Sequence, residues 1–413
     1  MTYPTQIAVN EAIHLIQDKA PAPETETLPL LRCYGRVLAQ DVVSLVNHPS
    51  HDNSALDGYA CRAEDTLTAS KENPVSLEVI GDIPAGSLFE GEVGQGQAVS
   101  IYTGAPIPKG ADAIIRVEDT EQKEGNVLLF APANPGDIRP LGQDFKTGDA
   151  HLKKGIVLDA ASVGLAAAMG HAELQVSRKP RVGILATGDE VISPGQPLRA
   201  GQVYNSNTFS IAGLVKAAGA EAVILDHVND DQTALAQAIE KAGDLDLLLT
   251  SGGVSMGKYD FVRDLLFDEG EVYFWKVAQK PAGPVLFGQW RNLPILGLPG
   301  NPVSSMIAFI ILARAFLDKS LGKTEPLPYH QRQMVVAGMM LKGAGFKETF
   351  TRVRLETQGA TLKAVSTGNQ SSGVLTSMLF ADALAVIPPH AVYEVGDEVE
   401  VIRLESLPKT YNA

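Results

Sequence analysis

From Arg181 to Leu321 the sequence alternates short apolar runs with amphipathic stretches and brief connections, and this pattern allows few folds besides a doubly wound, mostly parallel sheet. Val182 to Ala186 reads as the first strand and Ala222 to Leu225 as the next. Between them Asn207 is placed to cap a helix whose apolar face is Ile211, Leu214, Val215 and Ala218. A helix from Asp231 and the buried-strand run Leu245 to Thr250 follow, then short strands at Val285 to Phe287 and Ile295 to Leu298. Gly300-Asn301-Pro302 opens a last helix reaching about Leu321, with Asn301 at the N-cap and Pro302 at the first helical position.

Two glycine-bearing loops leave the carboxyl ends of these strands, where open sheets bind ligands. One is Ser251-Gly252-Gly253-Val254-Ser255; the other is Thr187-Gly188-Asp189-Glu190. Consecutive glycines expose backbone N–H groups, so the expected ligand carries phosphate. Asp260 and Glu190 are the first carboxylates to consider for metal binding or acid/base work. At a loop-to-helix junction, Asp260 also suits helix capping. Asp230 and Asp231 share that ambiguity, and Asp231 is the preferred candidate.

The flanks read differently. Between about Ser44 and Asp144, the runs Val75 to Ile80, Ala98 to Tyr102, Ala113 to Val117 and Val127 to Phe130 are broken by Gly and Pro, which predicts an antiparallel β-rich domain. Helical patterns at the amino terminus and at Ala160 to Met169 are expected to pack together as a connecting piece. Beyond Pro326 short strands return at Met334 to Met339, Phe350 to Leu355, Leu384 to Ile387 and Glu398 to Arg403, as in a small β-barrel. The expected division is 1–45 with 146–177 as helical connector, 46–145 β-rich, 178–326 α/β and 327–413 barrel.

Composition excludes several functions. Of 413 residues, 48 are acidic and 34 basic, and the net charge of −14 repels nucleic acid. A bound phosphate must therefore be met by local cations or a metal. Cys33 and Cys61 have no metal-ligand spacing and read as buried thiols in a reducing compartment. Met1 to Ala20 lacks the pattern of a signal peptide, and Met306 to Leu317 is too short to span a bilayer. The expected location is the cytoplasm, without membrane attachment.

The strings HDNSALDGYA (51–60), YTGAPIPKGADA (102–113), ATGDE (186–190), SGGVSMGKYDF (251–261) and GLPGNPVSS (297–305), in this order, resemble the molybdopterin molybdenumtransferase (MoeA) family along essentially the whole chain. The resemblance implies the last step of molybdenum cofactor synthesis, in which molybdate is inserted into adenylated molybdopterin and AMP is released. It implies Mg2+ as cofactor and an elongated homodimer whose active cleft lies between the α/β domain of one subunit and the β-rich domain of the other. A molybdopterin adenylyltransferase and acceptor molybdoenzymes are the implied protein partners.

Carried over residue by residue, the resemblance makes Asp57, Glu190 and Asp260 catalytic and metal-binding. Cleaving a phosphoanhydride is mostly positioning and charge neutralisation, and magnesium needs only one or two carboxylates besides water. Implied substrate contacts are Thr103, Asp144, Thr187, Gly188, Asp231, Ser251, Gly252, Gly253, Ser255, Pro299 and Pro302, with Lys276, Lys280 and Arg352 as cations. Lys276 and Lys280 share a face if the chain between them stays extended; alone, such lysines are commonly solvated, as a strand arginine like Arg352 commonly is. Asp57-Gly58 by itself reads as a turn. The chain departs from the family pattern at Gln143, Gly283 and Ser371.

Three other readings remain open at this point. Gly253 to Gly257 fits the GxSxG nucleophile elbow, with His330 and His390 downstream, but Ser255 lies too far past the strand end. A molybdopterin adenylyltransferase would share only the α/β domain. A non-catalytic pterin-binding scaffold is the alternative from another class.

Overall fold

A computed structural model describes residues 4–84, 86–188, 190–225, 232–253, 261–324 and 332–404. Asp189, Asp230, Asp231, Ser255, Asp260 and His330 lie outside them.

The centre is a seven-stranded sheet in the order Thr5–Ile7, Glu271–Val277, Leu286–Trp290, Leu293–Leu298, Leu247–Ser251, Arg181–Ala186, Glu221–Ile224. Every residue from Leu247 to Ser251 is buried, the continuous apolar character of a strand covered on both faces. The pleat divides that run. Val182, Ile184, Leu247 and Leu249 face one apolar layer with Ile211, Val215, Ile307 and Phe316, while Leu185 and Leu248 face the other with Leu235, Val262 and Leu266. The doubly wound expectation therefore holds, with helices Asn207–Ala217 and Pro302–Ser320 on one side and Gln232–Ala242 and Phe261–Asp268 on the other. The long helix passes through a π segment at Phe309–Ala313.

Two details differ from the sequence expectation. Leu286–Trp290 and Leu293–Leu298 are antiparallel, joined by Arg291 and Asn292 at φ 46° and 68°, the paired left-handed residues that a tight hairpin turn needs. The amino-terminal helix Val9–Asp18 does not join Ala160–Ala168 in a connector. Its face Val9, Ala12, Ile13 and Ile16 packs into the α/β core, and Thr5–Ile7 pairs in parallel with Glu271–Val277. Periodicity identifies an apolar face but not the surface that covers it.

The connecting region proper is a two-stranded sheet, Thr25–Pro29 with Glu173–Ser177, and the helix Ala160–Ala168 capped by Asp159, around Leu28, Leu38, Leu158 and Val176. The β-rich domain holds a six-stranded sheet, antiparallel except where Val75–Ile83 runs parallel to Gln97–Ile101. In the carboxy-terminal domain, strands Arg332–Ala337, Glu398–Arg403, Ala383–Ile387, Glu348–Gln358 and Thr361–Ser366 close on themselves as a five-stranded barrel. Gln279–Lys280 adds in parallel to Glu348–Gln358, so the lysine-bearing loop of the α/β domain is stitched onto the barrel.

Candidate active site

The carboxyl ends of Arg181–Ala186, Leu247–Ser251 and Leu293–Leu298 open into a cavity of about 870 Å3. Thr187, Gly188, Glu190, Ser251, Gly252, Gly253 and Pro302 line it together, whereas Pro299 is buried beside it without lining it. Gly252 and Gly253 have φ of 100° and 71°, and a Cβ on Gly252 would stand 2.8 Å from the Thr187 hydroxyl oxygen. The glycines thus permit left-handed backbone and close approach. Part of the loop backbone is already paired: the Gly252 N–H donates to the Leu298 carbonyl at 3.0 Å and the Thr187 N–H to the Ser251 carbonyl at 3.3 Å. At Gly188, φ 113°, a Cβ would sit 2.7 and 2.8 Å from the Glu190 carboxylate oxygens, so only glycine lets that carboxylate fold over the loop. Glu190 is the one charged residue among the described residues that line this cavity.

Asn207, assigned by sequence to helix capping, does something else. The helix begins at Asn207 after Ser206, and Asn205 Oδ1 accepts the Thr208 N–H at 3.1 Å. Asn207 Nδ2 donates at 2.7 Å both to Ser251 Oγ and to the Gly300 carbonyl, tying two strand-end loops together. The signal was the run Asn205-Ser206-Asn207, three capping residues where one suffices.

A second cavity, about 670 Å3, meets the first at Asn301, which lines both. Lys280, Lys342, Ser304 and Arg352 line it, between the α/β domain and the barrel. Arg352 is 1% exposed, and no carboxylate pairs with it among the described residues. Its Nη2 donates to the Ser371 carbonyl at 3.2 Å, while Nε is buried without a partner. Gln370 clamps the Arg352 backbone at both N–H and carbonyl, 3.0 Å each. Burial holds the Arg352 pKa below the usual arginine value. A buried cation of this kind is suited to an oxyanion.

Lys276 does not share a face with Lys280. Its φ is 71°, so the chain is not extended there, and its ammonium lies 4.2 Å over the Trp275 ring. The cations that sequence missed are Lys342 and Lys347. Lys347 Nζ stands 3.7 Å from where a Cβ on Gly283 would be, at one of the positions where the sequence departs from the pattern it resembles.

On the β-rich domain, the Thr103 N–H and hydroxyl both donate to Asp57 Oδ1 at 2.8 Å, which lowers the Asp57 pKa below the ordinary carboxylate range. Asp57-Gly58 is not a turn. Gly58 starts the strand Gly58–Cys61, where a Cβ would collide with the Ile115 carbonyl. Asp144 lines a third cavity, about 460 Å3, with His48, Asn53, Arg139 and Gln143. No residue of the β-rich domain lines either α/β cavity among the described residues. Nor do the described residues gather three His, Cys, Asp or Glu as a metal site. His390 does not line the cavity of the Ser251 loop, and Ser255 and His330 lie outside the described residues.

Comparison with known proteins finds three family regions along the chain. The MoeA N-terminal region (domains I and II) matches residues 7–170, the probable molybdopterin binding domain 183–319, and the MoeA C-terminal region (domain IV) 335–404. The chain is 39% identical over 404 residues to molybdopterin molybdenumtransferase 2 of Mycobacterium tuberculosis, covering 95% of this chain and 98% of that one. It is 35% identical over 388 residues to the molybdopterin molybdenumtransferase of Haemophilus influenzae, covering 92% and 94%. The crystal structure of the molybdopterin biosynthesis MoeA protein of Pyrococcus horikoshii superposes with a TM-score of 0.80 at 31% identity, covering 97% of this chain and all of that one. With all three regions matched in order and full-length relatives above 30% identity, the chain belongs to the molybdopterin molybdenumtransferase (MoeA) family.

Proposed function

We propose that the protein inserts molybdate into adenylated molybdopterin and releases AMP, the final step of molybdenum cofactor synthesis. The observation that carries this reading is the junction of the two cavities at Asn301. One is lined by neutral hydroxyls, amides and a single carboxylate; the other by Lys280, Lys342 and the unpaired Arg352. A ligand with a phosphoanhydride fits along the first, and a tetrahedral oxyanion fits the second, so the two reactants meet at their common wall.

Within the first cavity Ser251 and Thr187 orient the anhydride. Lys280 and Arg352 hold molybdate by charge-assisted hydrogen bonds. Asp57, kept ionised by Thr103, and Asp144 face the cleft from a second subunit. Glu190 fits magnesium, because the donors lining this end of the sheet are hard oxygens and one or two carboxylates suffice, and the family resemblance offers Asp260 as the second. When bound, the ion neutralises charge on the phosphates.

A homodimer in the cytoplasm completes the proposal. Leu31, Tyr34, Val43 and Leu45 of the connecting region are exposed apolar side chains of the kind that subunit association covers. Among the described residues, Asp57, Thr103 and Asp144 line no cavity of the α/β domain of the same chain. No helix of the described residues is long and apolar enough to cross a membrane. A molybdopterin adenylyltransferase and molybdoenzymes are the expected partners.

The test is to supply purified protein with adenylated molybdopterin, magnesium and molybdate. Molybdate-dependent AMP release is expected, reduced at least about 100-fold in Asp57→Ala and Lys280→Ala, the scale of losing one fixed charge at a reacting centre. Consumption of ATP without molybdate would favour an adenylyltransferase instead. Ligand binding with no turnover would favour a scaffold.

A further inference from the structure

We infer that Asn207 is a positioning residue, one that sets the Ser251 hydroxyl as a hydrogen-bond donor into the cleft. The inference rests on the proposed contact between Ser251 and the anhydride. Its geometry is independent of that proposal.

The Gly300 carbonyl can only accept, so the group facing it at 2.7 Å must be the amide nitrogen of Asn207. The same nitrogen then reaches Ser251 Oγ, also at 2.7 Å, and there too it donates. A hydroxyl that accepts in this way keeps its single proton for another acceptor. Among the described residues no acceptor takes that proton. Ser251 is 5% exposed and lines the 870 Å3 cavity, so its hydroxyl is aimed by Asn207 and available to a ligand.

The arrangement leaves a cost in plain view. Asn207 Oδ1 is buried without a partner. Turning the amide over would place Oδ1 against the Gly300 carbonyl and Ser251 Oγ, and would convert Ser251 from donor to the cleft into donor to Asn207. An unpaired buried acceptor persists where the opposite orientation loses something more valuable. Phosphoryl oxygens are acceptors, and Glu190 is the only charge among the described lining residues. Neutral donors such as Ser251 therefore decide how an anhydride is held.

Binding of inorganic pyrophosphate with magnesium to the full-length protein, measured by calorimetry, tests the coupling. The variants are Asn207→Asp, Asn207→Ala, Ser251→Ala and the two double combinations. In Asn207→Asp the side chain can no longer donate, so the serine proton is drawn back to it. Affinity should fall about 10-fold or more in Ser251→Ala and in Asn207→Asp, each the loss of a well-made hydrogen bond. In the Ser251→Ala background the Asn207 substitutions should cost at least about 5-fold less than in the native background, because the group they act through is gone. The added charge of Asp is present in both backgrounds and cancels from this comparison, and Asn207→Ala repeats it without charge. Equal losses in both backgrounds would overturn the positioning role, since Asn207 would then act only on loop structure. Undiminished pyrophosphate binding in Ser251→Ala would instead remove the serine contact from the proposed function, a distinguishable failure.

Discussion

Arg352 shows how a single buried side chain separates stability from function. A strand arginine is ordinarily exposed, yet this one is 1% exposed, is bonded to backbone carbonyls, and has no carboxylate partner among the described residues. Holding an unpaired cation in a barrel wall costs free energy that packing elsewhere must offset. Replacing it with an apolar side chain of similar length should relieve that cost. Arg352→Met is therefore expected to melt no lower than the native protein while losing molybdate affinity by about 100-fold, the scale of a charge-assisted contact. Thermal denaturation and molybdate titration, run on the same sample, check both halves. A variant that melts lower and still binds molybdate would mean that Arg352 is a structural strut. Sequence pointed to this arginine only through family resemblance, because nothing in FTRVRL distinguishes a buried alternate position from an exposed one.

At the scale of elements, what the sequence revealed was local. The all-apolar run at Leu247, the Asn301-Pro302 helix start and the glycine pairs are each determined by neighbouring residues, and the structure has the corresponding strand, helix and left-handed loop. Pairing is not local. The same residues do not tell that Thr5–Ile7 borders Glu271–Val277, that Leu286–Trp290 turns back antiparallel, or that Gln279–Lys280 joins the barrel. The site followed suit: Thr187, Glu190 and Ser251 converge because strand ends do, whereas a left-handed φ keeps Lys276 off the face expected to be shared with Lys280, and Asn207 is gained through a contact 44 positions away. The barrel junction carries its own electrostatic signature. Glu348, beside Gln279 in the joining pair, is half-buried, and burial raises its pKa above the ordinary 4.5, with Arg332 opposing and Glu400 adding to the shift. A carboxyl whose folded pKa is raised binds its proton more tightly when folded. The resulting penalty is absent below the unfolded pKa, grows as pH rises, and is complete above the folded pKa. Glu348→Gln should therefore raise Tm at pH 7 and leave it nearly unchanged near pH 4. A Tm difference that is the same at both pH values would show that the side chain acts by packing alone.

Across the whole molecule the candidate site residues fall into two groups within one chain. Thr187, Glu190, Ser251, Lys280 and Arg352 belong to the joined cavities of the α/β domain and barrel, while Asp57, Thr103 and Asp144 stand on a domain that lines neither. If each active cleft is shared across a two-fold axis, a subunit defective in one half can lend its intact other half to a partner. Asp57→Ala and Arg352→Ala proteins, each inactive alone, should then complement when unfolded and refolded together. Random pairing makes half of the dimers mixed, and each mixed dimer holds one cleft with both halves native and one with neither. About a quarter of native AMP release is expected at equal mixing, because the interface is the same patch on both subunits. Activity no higher than the mean of the two parents would place both residues in a cleft of a single chain. Two variants from the same half, Glu190→Ala with Arg352→Ala, should fail to complement, because in every mixed dimer each cleft carries one defect. The pattern of rescue thus maps which residues share a cleft across subunits, independently of which ligand each one touches.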